Sequence, residues 1–200
     1  HMGVITNGPV ANFLPEIAAF EMPFLFNSPA QAYKVLDGEV GQKVLAKLDA
    51  INLKGLAYAE RGFRNLTNSK RPVKTPADMA GLKIRVMENP VYIDTFKTLG
   101  TNPVPMAWAE ALTALQQGTI DGQENPINVI YSFKLNETQK HLSMTQHSYA
   151  PALFLMSKKV FAGFDKPTQD ILVKAAQEAA AHERKWNGDQ MADMIKQLKD

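Results

Sequence analysis

The 200-residue chain has no cysteine, and that absence excludes a disulfide scaffold, a thiolate nucleophile and every zinc site built on sulfur. Charge of one sign is also scarce. Lys and Arg total 22 against 20 Asp and Glu, a net +2, and no basic block concentrates, which argues against nucleic acid as a partner. No apolar run approaches the roughly 20 residues that cross a bilayer. There is no internal repeat, no low-complexity tract and no Gly/Ser linker. There is also no Walker A loop, no G-x-G-x-x-G and no G-x-S-x-G elbow. His141 and His147 lie six apart, a spacing that matches neither a helical pair nor a zinc motif. No metal or cofactor site is expected.

What is present is a globular composition, 45% hydrophobic, in alternating strand and helix signals. His1 and Met2 read as a cloning scar and are set aside. Gly3–Thr6 reads as a strand with no preceding element to pair with. Ser28, Pro29 and Gln31 start a helix with Ala32, Val35, Leu36, Val44, Leu45 and Leu48 on one stripe, weakened at Gly38 and Gly41. A β-leaning run, Gly55–Ala59, is interrupted by Gly62. Leu82–Val86 alternates like a strand, Asn89-Pro90 caps a helix that ends at Gly100, and Asn102–Met106 is extended. Trp108, Ala111, Leu112 and Leu115 follow helical spacing up to Gly118, and Asn125-Pro126 opens another helix. Ser143–Phe161 holds two extended runs around Pro151. A long helix runs over 165–200, with Leu172, Ala175, Ala179, His182 and Trp186 along one seam. Strands alternating with helices predict an α/β architecture with largely parallel sheets. If two lobes exist, the chain crosses between them on structured segments near 59–68 and 149–151.

The strongest local signal is a place to bind an anion. Arg85 ends a strand and is followed at once by the capped helix start Asn89-Pro90, the junction where α/β sheets present ligand sites. A guanidinium there offers a planar fork to a carboxylate. The alternative is a surface pairing of Arg85 with Glu88 or Glu110. Asn125, in the loop Gly122–Pro126, either meets a polar ligand or simply caps the following helix. Trp108 either paves a pocket floor or anchors its helix in the core.

These residues carry a resemblance. Phe20–Phe26, Gly62-Phe63-Arg64-Asn65, Gly81–Val86, Pro105–Glu110 and Leu115–Pro126, in this order and spacing, resemble the DctP-type solute-binding proteins of tripartite ATP-independent periplasmic (TRAP) transporters. The resemblance implies a two-lobed, class II-like periplasmic binding protein that closes over a small organic acid and delivers it to membrane permease subunits. It implies that Arg85 bridges the ligand carboxylate, that Arg64 adds a second polar contact and that Asn125 neighbours the ligand. Trp108 would pack on the ligand and Glu110 would orient one of the arginines; Glu88 completes the candidate set. Lobe I is expected from 3–61 plus 152–200 and lobe II from 62–151. A chain that opens on a strand and closes inside a helix is expected to be a fragment lacking the family's first strand and helix, its C-terminal helices and its export signal. The edge so exposed is expected to promote self-association or strand exchange. The competing reading is an α/β enzyme of small acids, with Arg85 holding the substrate and His147 or Glu124 moving a proton.

Overall fold

The computed structural model describes residues 1–199. Strand β1 (Met2–Thr6) leads into a single turn α1 (Asn7–Val10) and a 3₁₀ stretch, Pro15–Glu21. Helices α2 (Pro29–Leu36) and α3 (Glu39–Lys47) follow, and the long strand β2 spans Leu53–Asn68. Next come β3 (Lys83–Val86), α4 (Pro90–Thr98), β4 (Asn102–Pro105), α5 (Trp108–Gln117), β5 (Gly122–Pro126) and α6 (Ile127–Ser132). The second long strand, β6 (His141–Ser157), precedes α7 (Lys158–Ala162) and α8 (Lys166–Gln197). Position 200, the expected end of the last helix, lies outside the described residues.

Local signals account for many of these boundaries. The Ser28 hydroxyl accepts the Gln31 N–H at the start of α2, and the helical stripe breaks at Gly38. Gly100 and Gly118 close α4 and α5 at φ +81° and +67°, where a side chain would be strained.

One sheet of six strands, ordered β1-β6-β2-β5-β3-β4, carries the structure. It is mixed rather than largely parallel. β3 pairs parallel with β4 and β5, but β1 with β6, β2 with β6 and β2 with β5 are antiparallel. The long antiparallel pair β2/β6 is the spine. Its first half packs Tyr58, Tyr149, Leu153 and Leu155 against the N-terminal helices, and Leu66, further along β2, joins a separate core with Ile84, Val86 and Phe96. Local alternation cannot report the direction of strands paired over such sequence distances. Pro151 lies inside β6 instead of dividing two runs, opposite Glu60 at a register shift where the ladder is already irregular.

Three further expectations are corrected. Met2 belongs to β1, opposite Met156, and the His1 carbonyl accepts the Ser157 N–H, so these residues join the fold. β1 therefore has a partner, with its outer edge left open and Met2, Val4 and Ile5 exposed. Gly122–Pro126 is a fully buried strand, not a loop with an N-cap. Gly122 begins it because a Cβ there would meet the Thr67 carbonyl oxygen at 2.2 Å. Finally, the buried residues of α8 are Ala176, Ala180, Asn187 and Met194, with Leu172 half-buried beside the first two, while Ala175, Ala179, His182 and Trp186 are exposed. Small residues let the helix approach β2, and its polar groups satisfy backbone there: Glu183 accepts the Glu60 N–H at 2.9 Å and Arg184 donates to the Tyr58 carbonyl at 2.8 Å.

Candidate functional site

A cavity of about 450 Å³ opens where β2, β3, β5 and the start of α5 meet, within the usual range for small-molecule sites. Arg64, Arg85, Glu88, Trp108 and Asn125 all line it, together with Arg61.

Arg85 sits near the end of β3, paired with Gln123 of β5 on one side and Val104 of β4 on the other. Its side chain is 4% exposed. Nε and Nη2 both donate to the Met106 carbonyl, at 3.0 and 2.7 Å, and the guanidinium lies 5.4 Å from the centre of the Trp108 ring. Arg85 therefore pairs with neither Glu88 nor Glu110; among the described residues, ion-paired arginines are Arg64 and Arg184. Burial pulls its pKa down to about 10, against a smaller upward pull from Glu124. Among the described residues no carboxylate forms an ion pair with this cation, and the pull of Glu124 and Glu88 offsets the cost of its burial only in part.

Arg64, on β2, is in the opposite situation. It is buried against the fully buried Glu124 of β5: Nε and Nη2 donate to the carboxylate, the latter at 2.8 Å, and Nη2 also donates to the Glu124 carbonyl at 2.7 Å. His147 Nε2 lies 3.0 Å from the same carboxylate, and its Nδ1 lies 2.8 Å from the Thr145 hydroxyl. Burial alone would raise the Glu124 pKa, but the Arg64 charge and the hydrogen bonds from His147 and Arg64 hold it at about 2. Tyr92 lies under the Arg64 guanidinium, 5.2 Å from ring centre to carbon, and its hydroxyl donates to Glu21. Burial pushes the Glu21 pKa up to about 7.

Of the remaining candidates, Asn125 borders the cavity from β5 and donates to Gln123 Oε1 at 2.6 Å. Trp108 faces the cavity at the start of α5, edge-on to Phe133. Glu88 is exposed at the rim, its carbonyl accepting from Asn12. Glu110 does not reach the site. It is exposed on α5, two residues and hence about 200° around the helix from Trp108, and it bonds neither arginine. The orienting carboxylate is Glu124. Nor does the α4 N-terminus line the cavity: Asn89 is buried, accepts the Val91 N–H and donates to the Gly8 carbonyl. Sequence reasoning also missed Arg61, whose available signal was a glycine inside the strand pattern at position 62.

A mixed α/β sheet with a cavity lined by Arg61, Arg64 and Arg85 is the setting in which the comparisons place the class: solute-binding proteins. The family model for "Bacterial extracellular solute-binding protein, family 7" (DctP) matches residues 1–200, and the chain belongs to that family. A solute-binding protein of Verminephrobacter eiseniae is 50% identical over 175 residues, covering 88% of this chain and 52% of the relative. The 2,3-diketo-L-gulonate-binding periplasmic protein YiaO of Escherichia coli is 46% identical, covering 95% and 58%. The chain thus spans a little over half the length of these curated relatives. Among solved structures, a TRAP periplasmic solute-binding protein of Polaromonas bound to D-erythronate superposes with a TM-score of 0.97 at 48% identity, covering 99% of this chain and 65% of that one. The sugar acid binding protein DctPAm of Advenella mimigardefordensis, in complex with galactonate, gives 0.96 at 41%, covering 99% and 64%.

Proposed function

We propose that this chain captures a small organic carboxylate (a C4-dicarboxylate, sugar acid or similar) in the periplasm through an Arg85–carboxylate salt bridge, and delivers it to TRAP permease subunits. The observation that carries this reading is the Arg85 guanidinium, buried at the cavity with no acidic partner of its own. A ligand carboxylate supplies the missing anion, and closure over it excludes water and strengthens the pair. Lobe I consists of 3–61 and 152–200, lobe II of 62–151, and the crossings run along β2 and β6. Arg64, held by Glu124, offers a second contact, Asn125 a carboxamide and Trp108 an apolar wall. The names of the relatives, which bind erythronate, galactonate or diketogulonate, support an acid of this class.

The test is calorimetric titration of the full-length protein, guided by a thermal-shift screen of organic acids, since a ligand that binds only the folded state raises its melting temperature. Loss of a desolvated charge partner costs about 2–5 kcal/mol. Arg85→Ala is therefore expected to weaken binding roughly 30- to 5,000-fold, and Arg85→Lys also weakens it by losing the fork. Binding within about threefold of the parent by either variant overturns the assignment. The enzyme reading has less support, because His147 and Glu124 do not line the cavity and both His147 ring nitrogens are engaged. The open edge of β1, with Met2, Val4 and Ile5 exposed, supports self-association of this chain. A light-scattering mass of one chain at micromolar concentration would refute it.

A further inference from the structure

Arg61 and Arg64 both line the cavity, although residues three apart in a regular strand face opposite sides of the sheet. The ladder explains this. Glu60 pairs with Pro151 and Gly62 with Ala150, so Arg61 is an extra residue in β2, and Gly62 adopts φ +100°, a conformation that favours glycine. Such bulges re-aim side chains at sites. Here the result is a second cation at the cavity that no protein anion neutralises, because the ion-paired arginines among the described residues are Arg64 and Arg184. Glu183 feels the Arg61 charge without forming an ion pair with it, and Glu88, the acid that lines the cavity, is exposed at the rim.

We propose that Arg61, turned into the cavity by the bulge at Glu60–Gly62, is a specificity residue that reads a second acidic group at the far end of the ligand, so that the site favours dicarboxylic sugar acids over their monocarboxylic counterparts. The inference rests on the carboxylate-binding reading above, with Arg85 taking the first carboxylate. Arg64 cannot serve as the second reader, because Glu124 already neutralises it. Arg61 is only half-buried, so its contribution is smaller than that of Arg85.

The test compares matched acids at two chain lengths, galactarate against galactonate and tartrate against erythronate, by calorimetry on the full-length protein and its Arg61→Gln and Arg61→Lys variants. Arg61→Gln is expected to weaken the better-bound diacid by roughly three- to fivefold while changing its monoacid counterpart by less than about 1.5-fold. Arg61→Lys, which keeps the charge, recovers part of the loss. Equal losses for diacid and monoacid, or no loss for either, overturn the assignment of Arg61 while leaving the Arg85 site standing. If the parent binds the monoacids as well as the diacids, or binds none of the four while another carboxylate from the screen binds through Arg85, the assignment of Arg61 falls and the Arg85 reading stands; if no carboxylate binds, both fall. Unchanged melting temperatures of the ligand-free variants show that folding is not the cause of a loss.

Discussion

Of the three guanidiniums at the cavity, the two buried ones, Arg64 and Arg85, stand in opposite electrostatic conditions. Arg64, on the β2/β5 side, is locked to a buried carboxylate that His147 and Arg64 together hold ionised; Arg85, on the β3 side, is equally withdrawn from water and donates only to a backbone carbonyl. A fully paired buried charge is structural, since breaking it leaves an orphan. An unpaired one costs stability and is retained where something else completes it. On the proposed function, one arginine belongs to the rigid wall of the cavity and the other to the receptor.

The largest effect that would break this contrast is at Glu124. Glu124→Gln leaves the Arg64 charge buried without its anion and is expected to destabilise the fold by about 3–5 kcal/mol in urea unfolding. A loss below about 1 kcal/mol would mean that the two arginines are not different in kind. Arg85→Met should behave oppositely. It removes an unpaired cation at similar volume, so ligand-free stability stays within about 1 kcal/mol of the parent or rises, while carboxylate binding collapses. If Arg85→Met destabilises the protein as much as Glu124→Gln does, the receptor role loses its physical basis.

Glu21 sharpens the paired side. Its folded pKa of about 7 lies above its ordinary value of 4.5, so the folded state holds more protons than the unfolded state between these values. Stability contributed by this group is therefore full below about pH 4.5 and declines as pH rises toward 7, by up to about 3 kcal/mol. Glu124 has the reverse sign: its depressed pKa gives stability present above 4.5 and lost as pH falls toward 2. Thermal melts should show the upper limb flattening in Glu21→Gln with the acid limb unchanged. An unaltered slope between pH 5 and 7 would show that Glu21 is not the titrating group.

The division between what sequence conveys and what it hides follows the range of the interactions. Ser28, Asn89, Gly100 and Gly118 act within a few residues, and each marks a helix boundary where local chemistry predicts one. The place of Arg85 near the end of a strand was legible locally, although the capped helix that follows does not reach the cavity. The Arg64–Glu124 pair, 60 residues apart, depends on which strands become neighbours, and the run Gln123-Glu124-Asn125 reads as a loop until β2 and β3 are seen flanking it. The buried face of α8 was misplaced for a related reason. Leu172 does pack with Ala176 and Ala180, but Trp186 supplies the stronger hydrophobic signal and stays exposed, because contact with β2 selects alanines and the polar groups that meet its backbone. Arg61 was hidden because a single bulge reverses the facing of every residue beyond it.

The smallest expected effect separates the two arginines by the rings beneath them. Tyr92, under Arg64, is buried and hydrogen-bonded to Glu21, whereas Trp108, under Arg85, is half-exposed at the cavity and touches Phe133 edge-on. A cation over an aromatic face is worth about 0.5–2 kcal/mol, more where water is excluded. In the free protein the Trp108 contact is partly wet, and closure over a ligand would dry it. Trp108→Leu is therefore expected to change ligand-free stability by less than about 1 kcal/mol while weakening carboxylate binding roughly three- to tenfold. Tyr92→Phe, which keeps the ring but removes the hydroxyl held by Glu21, should instead shift stability and leave affinity nearly unchanged, because it acts on the side of the cavity that is already complete. Calorimetry and melts of the two variants side by side decide this, and equal affinity losses would place both rings in the receptor and erase the distinction between the walls.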